Sequence, residues 1–215
     1  MIKGIIFDLD GVLVSTDELH YLAWKRLADE LHIEDFTRED NERQRGVSRM
    51  ASLEIVLEKS VQTYDMEEKK RLAEKKNAYY VELLQNINES AILKGVNLTL
   101  SELKQKNLLL SVGSASKNAP AILERTQLLP YLNQVSCGLD TEKSKPHPEV
   151  FLIAADKMGL EPEECLVVED SAAGIQAAKA GGMRSLGVGP YFKQLHADFE
   201  APSLAAVYDW NRVLS

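Results

Sequence analysis

Gly4-Ile5-Ile6-Phe7-Asp8-Leu9-Asp10-Gly11-Val12 opens the chain with a short apolar run that stops at two carboxylates and a glycine. A run of this length, ended by a polar turn, is the pattern of a strand buried on both faces. Three later runs repeat it. Leu108 to Val112 enters Gly113-Ser114-Ala115-Ser116, Leu166-Val167-Val168 enters Glu169-Asp170-Ser171, and Ser185 to Val188 ends at Gly189-Pro190. Helical periodicity follows in between, over Ala119 to Arg125, Glu149 to Met158 and Ala172 to Ala180. Strands alternating with helices predict an α/β fold with a Rossmann-like parallel sheet.

The stretch between the first two strands has another character. It contains no strong strand and is rich in Glu, Lys, Leu and Ala. Leu19, Leu22, Ala23, Leu27 and Leu31 recur at helical spacing, and Glu67 to Leu84 repeats the pattern through Leu72, Tyr79, Tyr80 and Leu83. This predicts a helical insertion at 16–90 within a core made of 1–15 and 91–215. Leu13 to Thr16 and Asn86 to Lys94 are the candidate hinges, about which the insertion is expected to move.

The whole composition bounds the function. The chain has 215 residues, 45% of them hydrophobic and 27% charged, which fits a globular protein and neither a disordered nor a fibrous one. Lys plus Arg number 25 against 33 Asp plus Glu, a net charge of −8, which argues against broad contact with nucleic acid or anionic membranes. Cys137 and Cys165 are the two cysteines and show no metal-ligand spacing. The opening apolar run is too brief for a secretion signal, and no apolar stretch is long enough to span a bilayer. A monomeric, soluble, cytoplasmic protein is the expectation.

In a parallel sheet, ligands gather at the carboxyl ends of the strands. Asp8, Asp10, Ser114, Glu169 and Asp170 all fall at such ends. Read singly, each acidic dipeptide is a solvated turn or a helix cap. Read together, the four carboxylates repel one another unless a cation sits among them, and an all-oxygen donor set beside a phosphate favours Mg²⁺.

The motif Phe7-Asp8-Leu9-Asp10-Gly11-Val12, with Ser114 after a strand, Lys145 before Pro146, and the pair Glu169-Asp170, resembles the haloacid dehalogenase-like phosphotransferase superfamily. The four motifs occur in order over nearly the whole chain. Within that superfamily the sequence is similar to the β-phosphoglucomutase family, through Thr16, His20 and Trp24, Arg45-Gly46-Val47-Ser48-Arg49, Lys76 with Tyr80, Ser116-Lys117-Asn118, Ser144-Lys145-Pro146, and Glu169 to Ile175. The resemblance implies a Rossmann-like core carrying a helical cap. It also implies interconversion of β-D-glucose 1-phosphate and glucose 6-phosphate through glucose 1,6-bisphosphate.

Under that resemblance Asp8 is the nucleophile that becomes an aspartyl-phosphate, and Asp10 is the general acid and base. Ser114 and Lys145 hold the transferring phosphoryl group. Asp8, Asp10, Glu169 and Asp170 hold Mg²⁺. Arg49, the Arg45 to Ser48 segment, and Ser116, Lys117 and Asn118 hold the distal phosphate. Thr16, His20, Trp24 and Lys76 meet the sugar, with His20 and Lys76 gating its entry. Read alone, His20 is an ordinary helix histidine and Trp24 a core residue of the insertion. Ser15 stands where the superfamily often has Asp, Arg45 where the mutases usually have Lys, and Gln44 where an apolar residue is expected. Those departures bear on rate and sugar preference. A Mg²⁺-dependent sugar-phosphate phosphatase on the same scaffold is the alternative, and a non-catalytic phosphosugar-binding protein a third reading.

Overall fold

The computed structural model describes residues 1–44, 47–207 and 209–215. Two compact units emerge: Met1–Ser15 with Asn88–Ser215, and Thr16–Ile87. Residues 88–90, expected within the insertion, lie in the first unit, where Glu89–Ala91 form a 3-10 turn.

The first unit is built on one six-stranded parallel sheet. Its strands are β1 (Gly4–Phe7), β2 (Leu109–Gly113), β3 (Gln134–Ser136), β4 (Cys165–Glu169), β5 (Arg184–Gly187) and β6 (Phe199–Glu200), in the order β3-β2-β1-β4-β5-β6. Every residue of β1 is buried, as a central parallel strand covered on both faces requires. In register, Phe7 lies between Val112 of β2 and Val168 of β4. Asp8 therefore emerges beside Glu169, and its amide continues the ladder by donating to Val168 O at 2.9 Å. The strand order reverses between β1 and β4, which makes their carboxyl ends the crevice where such sheets bind ligands.

Sequence periodicity places α6 (Ala119–Arg125), α7 (Glu149–Met158) and α8 (Ala172–Ala180) of this unit and misses the ten-residue α5 (Val96–Gln105) and the smallest strands. The first unit also has a short terminal α9 (Trp210–Leu214). The β3 and β6 strands span three and two residues, too few to show an apolar run. Ile6 and Val167 of the sheet pack with Val150, Phe151 and Ala154 of α7 and Ala177 and Ala178 of α8 in one core cluster.

The second unit is helical: α1 (Asp17–Glu30), α2 (Arg38–Glu42), α3 (Arg49–Leu57) and α4 (Met66–Leu84). A reciprocal cap starts α4, with Asp65 accepting from Glu68 N and Glu68 accepting from Asp65 N, both at 2.8 Å. Its buried stripe is Ala73, Lys76, Tyr80 and Leu84, facing Ala23, Trp24, Leu27 and Ala28 of α1. Leu53 and Val56 of α3 close the same core. A lysine thus stands on a seam that periodicity reserves for apolar residues. Among the described residues no helix is long and apolar enough to cross a membrane.

Candidate active site

The chain leaves β1 through a tight loop that turns two carboxylates toward the sheet edge. Leu13 N and Val14 N both donate to Leu9 O at 3.0 Å, and Gly11 N donates to Val14 O at 2.8 Å. Gly11 has φ +80°, and a Cβ there would lie 2.0 Å from Asp170 Oδ2. Glycine is required twice over, by conformation and by the close approach of the Asp170 carboxylate. The loop after β1 and the loop after β4 are thereby in contact, and Asp10 and Asp170 flank that contact.

Lys145 enters the same crevice from the loop before α7. Its ammonium donates to Asp8 Oδ1 at 2.5 Å and to Glu169 Oε1 at 2.6 Å, and its side chain is 5% exposed. The other Glu169 oxygen accepts from Ser171 N at 2.7 Å and Ser171 Oγ at 2.9 Å. Ser171 is also the cap of α8, accepting from Gly174 N. A Cβ on Gly174 would lie 1.9 Å from Glu169 Oε1, so the carboxylate packs directly onto the first turn of α8, where the helix dipole favours negative charge.

The electrostatics follow from this packing. Burial pushes the Asp8 carboxyl up to about 7, opposed by Lys145 and reinforced by the like charges of Glu169 and Asp10. Burial works against the Lys145 ammonium, and the attraction of Asp8 and Glu169 outweighs it, so its pKa rises above 10.5 and the lysine stays charged. Lys145 is a permanent cation, and Asp8 is a carboxylate whose negative charge is poorly stabilised in this form of the site.

That excess of negative charge, with an all-oxygen donor set at Asp8, Asp10 and Asp170, is suited to a hard divalent cation. Among the described residues no three acidic, His or Cys side chains close into a cage by themselves. A magnesium ion keeps waters, binds through one or two carboxylates and completes its shell with substrate phosphate, so an open arrangement meets its needs. Glu169 is the fourth expected ligand, and its two oxygens also accept from Lys145 and Ser171.

The loop after β2 supplies hydroxyls. Ser114 is buried, its amide donates to Ser136 O, and its Oγ accepts from Ser116 N at 3.2 Å. With its acceptor side engaged, the Ser114 hydroxyl has its proton to give an incoming oxyanion. Ser116 Oγ in turn accepts from Asn118 N at 3.2 Å, and Gly138 N donates to Ser116 O. Lys117 is exposed, while Ser116 and Asn118 are half-buried.

In the helical unit another group of predicted residues comes together. Lys76 is 3% exposed, and its ammonium lies 2.8 Å from His20 Nδ1, 4.7 Å from the Trp24 ring and 4.8 Å from the Tyr80 ring. An ammonium can only donate, so Nδ1 accepts and the neutral imidazole carries its proton on Nε2. His20 stacks on Tyr80 at 4.1 Å, and Tyr80 OH donates to Thr16 Oγ1 at 3.2 Å. Burial, then Lys76 and Arg49, hold the His20 imidazole well below its ordinary 6.5. Trp24 is 2% exposed and belongs to the helical core while also facing Lys76.

Arg49 begins α3, half-buried, and donates to Asn77 Oδ1 at 2.8 Å. Burial pulls its proton affinity down, countered by Glu74. Ser48 caps α3 by accepting from Ala51 N, and Val47 is exposed. Arg45 and Gly46 lie outside the described residues. Of the sequence departures, Ser15 donates its amide to Ala91 O, and Gln44 is buried with Nε2 donating to Ser52 O at 2.9 Å. Gln44 Oε1 has no hydrogen-bond partner among the described residues. Sequence reasoning did not single out Ser171 for Glu169 or Asn77 for Arg49. The spacing of Ser171 ahead of Gly174 was an available N-cap signal for the first, and nothing local marks the second.

Comparison with known proteins agrees with this geometry. A family model described as haloacid dehalogenase-like hydrolase matches residues 5–188. A β-phosphoglucomutase from Bacillus subtilis is 39% identical over 91% of this chain and 87% of its own. A phosphorylated carbohydrates phosphatase from Thermotoga maritima is 31% identical over 95% of this chain and 94% of its own. The crystal structure of a β-phosphoglucomutase from Clostridium difficile superposes with a TM-score of 0.88 at 36% identity, covering 99% of this chain and 96% of that one. A parallel sheet with Asp8 and Lys145 paired at its switch point, and a family match along most of its length, lead to one conclusion: the chain belongs to the haloacid dehalogenase-like hydrolase family.

Proposed function

We propose that this protein is a phosphomutase that interconverts β-D-glucose 1-phosphate and D-glucose 6-phosphate through phospho-Asp8 and β-glucose 1,6-bisphosphate. Asp8 Oδ attacks phosphorus, and the bond from phosphorus to the sugar oxygen breaks as the bond to the carboxylate forms. Asp10 gives a proton to the departing sugar oxygen and takes one back when the other hydroxyl attacks phospho-Asp8. Lys145 and Ser114 meet the charge that develops on the phosphoryl oxygens. Asp8, Asp10, Glu169 and Asp170 would hold Mg²⁺, which would offset the repulsion between carboxylate and phosphate.

The observation that carries the mutase reading is the polar equipment of the helical unit. Lys76, His20 and Arg49 are held there in partly or wholly buried positions, at a cost in desolvation that a plain cover would not bear. Under the proposal Arg49 and Ser48 of the helical unit take the distal phosphate, and Lys76 with His20 takes sugar hydroxyls. Ser114 and Lys145 alone would serve a phosphatase equally well, and the Thermotoga maritima relative favours that second reading.

³¹P NMR of the protein with β-glucose 1-phosphate, Mg²⁺ and a trace of glucose 1,6-bisphosphate tests the two. Glucose 6-phosphate accumulating without matching free phosphate is the expected result. Free phosphate as the main product would overturn the mutase in favour of the phosphatase.

A further inference from the structure

Lys145 has an aromatic neighbour besides the carboxylates of Asp8 and Glu169. Its Nζ lies 4.6 Å from the centre of the Phe151 ring. Phe151 is fully buried in the first turn of α7, the helix that begins directly behind the Lys145-Pro146-His147-Pro148 loop. The ring has a prepared seat. A Cβ on Gly113, at the carboxyl end of β2, would lie 2.6 Å from Phe151 Cδ1 and 2.9 Å from Ile6 Cγ2, so this close approach needs the glycine.

The chemistry of that position admits few side chains. A third carboxylate would hold the ammonium but add negative charge where a phosphate must arrive. An aliphatic residue would exclude water and leave the charge uncompensated on that side. An aromatic face excludes water and attracts the cation through its quadrupole, and it offers no oxygen to compete with substrate for the ammonium protons.

We propose that Phe151 is a positioning residue for phosphoryl transfer: its ring face holds the Lys145 ammonium against Asp8 and Glu169, dry and aimed at the transferring phosphoryl group. The assignment rests on the phosphoryl-transfer reading for its consequence in catalysis, and on the ring-to-ammonium geometry for its consequence in oxyanion binding.

Replacing Phe151 by 4-fluoro-, 3,5-difluoro- and 3,4,5-trifluorophenylalanine keeps the ring's shape and drains its negative face in steps. Two readouts are followed with Mg²⁺ present: the dissociation constant for inorganic phosphate by calorimetry, and the turnover of acetyl phosphate. Phosphate affinity and turnover should fall with each fluorine, to about five- to tenfold for the trifluoro ring, a range set by the strength of buried cation–π contacts. The thermal midpoint should stay nearly constant, which separates the electronic role from a packing role. Phe151→Leu, which removes the ring face altogether, should lose at least as much as the trifluoro ring. A graded loss of phosphate affinity in a protein that transfers no phosphoryl group would break the proposed function and keep the seat for Lys145. Flat phosphate affinity and flat turnover across the fluorinated series would overturn the role of Phe151.

Discussion

The two units each bury a lysine, and they solve the same problem in opposite ways. In the sheet unit Lys145 lies between two carboxylates, with Asp8 at 2.5 Å and Glu169 at 2.6 Å. In the helical unit Lys76 lies against the Trp24 and Tyr80 rings and a neutral imidazole, with His20 Nδ1 at 2.8 Å. The first arrangement fixes a charge by opposite charge, and so creates a site whose members cannot be removed singly. The second supports a charge with quadrupoles and a lone pair, which is weaker, tunable, and suited to binding neutral hydroxyls.

Lys145→Met breaks the first arrangement, with the largest effect expected. It deletes the cation that meets the phosphoryl oxygens, and turnover should fall by about 10²–10³-fold or more for acetyl phosphate and sugar phosphates alike. It also leaves Asp8 and Glu169 buried without their partner, so the thermal midpoint should drop in metal-free buffer. Turnover within tenfold of the parent would show that Lys145 is not the phosphoryl-binding cation.

Lys76→Met sharpens the contrast. The change keeps the long apolar stem on the buried stripe of α4 and removes only the ammonium, so the fold should hold or gain stability. The kcat/KM for β-glucose 1-phosphate should fall by about 10–100-fold, the worth of hydrogen bonds from a charged donor, and by far less for acetyl phosphate. Equal losses for the two substrates would move Lys76 out of sugar recognition and into general support of the site.

The same contrast explains what could be read in advance. The central strands, α6, α7 and α8 carry strong apolar periodicity, and the acidic pairs at strand ends point to one sheet edge once the strands are taken as parallel. The pairing of Lys145 with Asp8 spans 137 positions and depends on the loop between β3 and α7 reaching back over the carboxyl end of β1. The short polar α2 and the α3 that carries Arg49 have too little periodicity to announce themselves. Phe151 looks, in the sequence, like any other core residue of an amphipathic helix. Glu169 shows the limit from the other side: an acidic dipeptide points to the sheet edge, and only the structure shows Ser171 and Lys145 on its first carboxylate.

The smallest effect, and the one that isolates the helical unit, is a pH slope. His20 is held as a neutral imidazole, with its folded pKa depressed well below the ordinary 6.5. Above 6.5 both folded and unfolded chains carry it neutral, and it adds no pH dependence. Below 6.5 the unfolded chain takes up a proton that the folded chain refuses, so stability falls as pH falls, by up to about 1.4 kcal/mol per pH unit until the folded pKa is reached. His20→Gln retains an acceptor for Lys76 and cannot titrate. Denaturation midpoints of parent and variant between pH 8 and pH 5 should therefore run parallel above 6.5 and diverge below it, the parent losing more. Parallel curves throughout would mean that His20 titrates normally in the fold. Lys76 would then face an imidazole that becomes charged, and the contrast between Lys145 between two carboxylates and Lys76 against an imidazole and two rings would fail at its weaker end.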